Sequence, residues 1–148
     1  MNNIYETKLT EELIKNIGTL ETMNSEDLKN HLGKIIVINE NYSKQIQSVA
    51  FIDLNNTCEF SNGVYNSLID LYYDEQEYLK KDIIEKFSKG ITILGIESFY
   101  EGNGTGTEIV EYLKEKYKKI FLYAGIGAET YWEYKGFESI GNYFYIYQ

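Results

Sequence analysis

The order of segments after residue 90 constrains the fold of this chain more than any other feature. "ITILGIESF" (91–99) is a β-branched run that ends at the glycine-rich "EGNGTG" (101–106). "TEIVEYLKEKYKK" (107–119) then repeats apolar residues at helical spacing, and "IFLYA" (120–124) is a short apolar run. Strand, helix and strand in succession predict a right-handed parallel crossover, because a twisted strand feeding a helix packs back on its sheet with that hand.

The segments on either side extend this sheet. "NIYETKL" predicts a first strand, and Thr10 caps a helix with Glu11 and Glu12 in its first turn. "NSEDLKNHLG" predicts a second helix, capped by Asn24 or Ser25 and stopped by Gly33. "KIIVINEN" and "QSVAFIDLNN" read as a hairpin of alternating strands. "DEQEYLKKDIIEKFSKG" predicts a helix, whereas "VYNSLIDLYY" fits strand and helix equally. Beyond the crossover, "AETYWEYKG" predicts a short helix stopped by Gly136, and "FESIGNYFYIYQ" reads as strand-like to the end. The sum is a mixed α/β sheet. No linker, repeat or low-complexity stretch divides residues 1–148, which therefore read as one domain.

Charge and composition exclude several function classes. The net charge is −9, and no basic patch with interleaved aromatics offers to neutralise nucleic-acid phosphates. Long-range steering instead favours cationic ligands. One cysteine, Cys58, and one histidine, His31, exclude an intrachain disulfide and a Cys/His zinc site. No apolar run nears a membrane span and no targeting pattern opens the chain, so a cytoplasmic protein is expected.

The glycine stretch is the one local pattern with chemical content. Gly102, Gly104 and Gly106 alternate with Asn103, Thr105 and Thr107 where a strand meets a helix. Helix-start N–H groups and the positive end of the dipole attract phosphate oxygens, and missing Cβ atoms let a diphosphate approach the main chain. The same spacing also serves as a plain tight turn, and the residues alone leave the two equal. It is not a P-loop, which needs Gly-Lys-Ser/Thr, nor a dinucleotide fingerprint.

A second motif lies downstream. The order strand, "EGNGTG", helix, strand and "AETYWEYKGF" resembles the GNAT N-acetyltransferase superfamily over roughly residues 91–144. Leu94, Ile96, Glu101, Gly104 and Gly106 fall on that family's pattern L-x-V…R/Q-x-x-G-x-G/A. Ala128, Tyr131, Trp132, Gly136 and Phe137 fall on A-x-x-F-Y-x-x-x-G-F. The resemblance implies a mostly antiparallel central sheet flanked by helices, with a splay between two central parallel strands and a helical insertion around 61–89. It implies acetyl-coenzyme A as co-substrate, lying between "ITILGIESF" and "IFLYA". The diphosphate would rest on Gly102, Asn103, Gly104, Thr105, Gly106 and Thr107, main-chain groups of Ile96 and Ser98 would hold the pantetheine and thioester, and Trp132 would border the site.

Two positions depart from the pattern. Glu101 stands where the family carries Arg or Gln, and Trp132 stands where a tyrosine often protonates the leaving thiolate. Tyr131 and Tyr134 are the substitutes considered for that acid, and Glu97 is the candidate base, ahead of Asp53 and His31. No metal is expected. The reading is acetyl transfer to a primary amine, cationic in preference, with neither nucleic acid nor membrane as partner and a homodimer left open. The alternative is a catalytically weak or inactive module that binds an acyl-coenzyme A or a protein.

Overall fold

The computed structural model describes residues 2–18, 20, 23–54, 90–100, 102–141 and 143–148. The helix expected within 61–89, Cys58 and Glu101 lie outside the described residues. The elements in chain order are β1 (Asn3–Lys8), α1 (Glu11–Ile17), α2 (Ser25–Asn30), β2 (Ile35–Glu40), β3 (Ile46–Asp53), β4 (Ile91–Ser98), α3 (Thr105–Lys116), β5 (Ile120–Tyr123), α4 (Glu129–Tyr134), β6 (Glu138–Gly141) and β7 (Phe144–Tyr147). Backbone hydrogen bonds link the seven strands in the order β1-β2-β3-β4-β5-β7-β6. β4 and β5 run parallel, whereas β1–β2, β2–β3, β5–β7 and β6–β7 are antiparallel.

Two compact units share the chain, Met1–Ile52 with Gly95–Leu113 and Asp53–Leu94 with Lys114–Gln148. In the first, local chemistry sets the helix ends. Thr10 Oγ1 accepts the Leu13 N–H at 3.2 Å, and Asn24 with Asp27 forms a capping box. Gly33 adopts φ +83° just beyond α2, a conformation that glycine reaches without a Cβ penalty. The hairpin β2–β3 departs from strict alternation: Ile36, Val37 and Ile38, and then Val49, Ala50, Phe51 and Ile52, are all buried. Consecutive burial means that both faces of these strands are covered. Ile109, Val110 and Leu113 of α3 are 0% exposed. Each such side chain contributes about 1.5–3 kcal/mol of burial.

In the second unit the parallel register covers Ile91↔Ile120, Thr92↔Phe121 and Ile93↔Leu122 and stops there. Burial along β4 drops at the same point: Ile91 to Ile93 are buried, and Leu94 to Ser98 are only half-buried. The strand-like tail is a hairpin, β6 against β7, in which Gly141 pairs with Phe144 and Tyr143 sits at φ +66°. α3 begins at Thr105, within the glycine stretch.

Candidate functional site

The first unit holds the glycine stretch. Gly102 and Gly104 adopt φ +84° and +71°, and in each case a Cβ would meet no described residue within 4 Å. These two glycines are therefore required by backbone conformation rather than by packing. Gly106 is different. Its φ lies outside the left-handed region, and among the described residues a Cβ there would find only Ser98 Cβ, at an ordinary 3.9 Å. A glycine inside a helix costs about 0.5–1 kcal/mol relative to alanine. No described residue requires that cost at Gly106.

Gly104 O accepts the Glu108 N–H at 3.0 Å, which opens α3. The N–H groups of Thr105 and Gly106 accordingly have no intrahelical acceptor and lie at the positive end of the helix dipole. Gly102, Asn103 and Gly104 are exposed, and Gly106 and Thr107 are half-buried. Main-chain donors, open space where side chains would stand and a positive dipole end suit an oxyanion such as a phosphate.

A buried polar cluster holds this helix start. Thr105 is 3% exposed. Its carbonyl oxygen accepts Asn39 Nδ2 at 3.0 Å and Ser48 Oγ at 2.9 Å. Its hydroxyl lies 3.0 Å from Ser98 Oγ and donates to Gln47 O at 3.4 Å. The Phe99 N–H also reaches Gln47 O, at 2.9 Å, so the end of β4 and the first residue of α3 share an anchor on β3. Sequence reasoning missed Asn39, Gln47 and Ser48. The available signal was polar residues inside the otherwise apolar "IIVINE" and "QSVAF".

The remaining candidates fall in different places. Ile96, Glu97 and Ser98 are half-buried on β4, beyond the last residue paired with β5. His31 caps α2 and its Nδ1 lies 2.7 Å from Asp27 O, with its ring edge-on to Phe51. Asp53 is 6% exposed at the end of β3. Among the described residues no cluster of His, Cys, Asp and Glu could hold a metal ion, and no helix is long and apolar enough to cross a membrane.

The second motif lies in the second unit, where α4 ends in a Schellman motif. The Phe137 N–H donates to Trp132 O and the Gly136 N–H to Glu133 O, both at 3.0 Å, with Gly136 at φ +87°. The accompanying apolar contact is Trp132 against Phe137, with ring centroids 5.1 Å apart. Trp132 is 6% exposed, so its indole is a packing element of this unit. Tyr131 is 37% and Tyr134 84% exposed, and Lys135 Nζ lies over both rings. Lys114 Nζ donates to Lys135 O at 2.9 Å, adding a cation at the helix C-terminus. Tyr145 Oη donates to Glu133 Oε1 at 3.1 Å. Burial first, and that carboxylate second, raise the Tyr145 phenol above its usual range.

No family model and no curated protein sequence matches the chain. Solved structures do. The Bacillus subtilis N-acetyltransferase YlbP, in complex with coenzyme A, superposes with a TM-score of 0.62 at 9% identity, over 100% of this chain and 97% of that one. SsHAT overlaps less, with a TM-score of 0.43 at 10% identity, over 75% of this chain and 69% of that one. At such low identity the likeness to YlbP concerns architecture. The chain has a GNAT-like fold, a mixed and mostly antiparallel sheet flanked by helices.

Proposed function

We propose that this protein transfers an acetyl group from acetyl-coenzyme A to a primary amine. The observation that carries the reading is Gly106, a helix-start glycine that neither φ nor packing against the described residues requires, beside two glycines that shape an exposed loop. A bound diphosphate lying against the main chain would supply the missing reason. The fold supports the same reading, since YlbP is an N-acetyltransferase solved with coenzyme A.

In the proposed chemistry the N–H groups from Gly102 to Thr107 receive the diphosphate. The neutral amine attacks the thioester carbonyl, and the Ile96 N–H is assigned to the oxyanion that forms. The carbon–sulfur bond then breaks, the amine nitrogen loses a proton and the thiolate gains one, leaving an amide and free coenzyme A. Glu97 is assigned as base, directly or through water. Tyr131 and Tyr134 are the candidates for the acid. The acidic chain, at net charge −9, favours cationic acceptors such as polyamines, amino sugars or basic peptide termini.

A second reading rests on Trp132. The residue at the position of the family's acid is an indole only 6% exposed and packed on Phe137, which supports a module that binds acyl-coenzyme A without turning it over. Free-thiol release from acetyl-coenzyme A across a panel of those three amine classes separates the two. The transferase reading expects amine-dependent thiol well above amine-free hydrolysis. Tight binding with no amine-dependent thiol supports the module, and absence of binding defeats both.

A further inference from the structure

Among the described residues one buried side-chain atom has no hydrogen-bond partner, Asn39 Oδ1. Asn39 is 0% exposed on β2, directly after the buried apolar residues Ile36, Val37 and Ile38. Burying an amide with half its capacity unmet is unfavourable, and an apolar side chain of similar size would avoid that penalty. The other half of the amide has a specific use. Nδ2 joins Ser48 Oγ on Thr105 O, so the carbonyl of the first residue of α3 takes two buried donors from two strands.

That carbonyl belongs to the same peptide unit as the Gly106 N–H. Donors on the oxygen of a peptide draw electron density towards it and make the N–H at the other end a stronger donor, an effect enhanced at low local dielectric. The same two bonds fix the plane of the unit and hence the direction in which the N–H points. Ser98 and Gln47 immobilise the Thr105 hydroxyl on the other side. Every member of this cluster lies in the first unit of the chain.

We propose that Asn39 and Ser48 are positioning residues that aim and polarise the Gly106 N–H towards the diphosphate of the coenzyme. The inference rests on the coenzyme reading above and assigns residues that no motif marks. Neither side chain touches the ligand; both act through the Thr105–Gly106 peptide.

The test uses the full chain with Ser48→Ala, Asn39→Leu and the conservative Ser48→Thr, titrated with coenzyme A and with pantetheine, which lacks the diphosphate. Ser48→Ala and Asn39→Leu are expected to weaken coenzyme A binding by about tenfold, the worth of one well-placed hydrogen bond, and to leave pantetheine binding unchanged. Ser48→Thr restores the loss. Equal weakening of both ligands, or of neither, overturns the proposal, since general loosening does not discriminate between them. The amide resonance of Gly106 in the ligand-free protein supplies an independent readout. It moves in Ser48→Ala and returns in Ser48→Thr if the carbonyl donors polarise that peptide, and an unmoved resonance overturns the proposal. Wild-type protein that binds neither ligand defeats the coenzyme reading, while the resonance still decides whether the two side chains act on Gly106.

Discussion

Gly102, Gly104 and Gly106 look equivalent in the sequence and are not equivalent in space. The first two sit at positive φ, so any side chain there strains the backbone. Gly106 carries no such constraint, and among the described residues a methyl would meet only Ser98 Cβ at 3.9 Å. Gly106→Ala is therefore expected to stabilise the ligand-free protein by about 0.5–1 kcal/mol, whereas Gly104→Ala loses about 1–2 kcal/mol to left-handed strain. Urea denaturation of the two variants checks the contrast, and similar changes in both would undo it. Another single residue sets a pH limit. The Tyr145 phenol is raised above its unfolded value of 10.0 by burial and by Glu133, so the folded state holds the proton more tightly than the unfolded chain. That contribution is complete below pH 10 and disappears as pH rises through the folded value. Tyr145→Phe should flatten the alkaline limb of a stability–pH curve; an unchanged limb would assign the loss to another group.

At the scale of elements, α4 shows what can be read locally. Its stop is written in adjacent residues: Gly136 at φ +87°, Phe137 N–H on Trp132 O, and the Trp132–Phe137 ring contact. Gly136→Ala is expected to cost about 1–2 kcal/mol and to fray the last turn of α4, visible as faster amide exchange at Gly136 and Phe137. Slow exchange in that variant would mean that packing alone holds the turn. The caps at Thr10 and Asn24 were legible for the same reason, since donor and acceptor are three residues apart. The cluster that holds the start of α3 was not, because its partners Ser48 and Asn39 lie 57 and 66 residues away. The β6–β7 turn was hidden by a different cause. Its flanks "FESI" and "YFYIY" both satisfy a strand pattern, so the strand-like stretch shows no break between them.

For the whole molecule, charge and fold pull on the proposed ligand in opposite directions. A net charge of −9 repels an anionic coenzyme at long range, while the main-chain donors of the loop attract it at contact. Salt shortens the Debye length from about 30 Å at 0.01 M to about 8 Å at 0.15 M, so it screens the repulsion and leaves the contact largely intact. The association rate of coenzyme A is expected to rise over that range in stopped-flow measurements; a falling rate would point to a local cationic site as the dominant attraction. The architecture itself was legible because strand and helix periodicities survive where identities do not. The chain superposes on YlbP with a TM-score of 0.62 at only 9% identity. The glycine pattern at the strand-to-helix junction was visible in the sequence, and the cluster that holds the helix start required the fold.

The central claim is that this loop binds a diphosphate through its main chain. Thermal unfolding of wild type and Gly106→Ala, each with and without acetyl-coenzyme A, tests it most directly. Ligand at 100 times its dissociation constant stabilises by about 2.7 kcal/mol, so the wild-type midpoint should rise by several degrees. Gly106→Ala should start at or above the ligand-free wild type and rise far less. No wild-type shift at millimolar ligand, or equal shifts in the two proteins, would contradict the account.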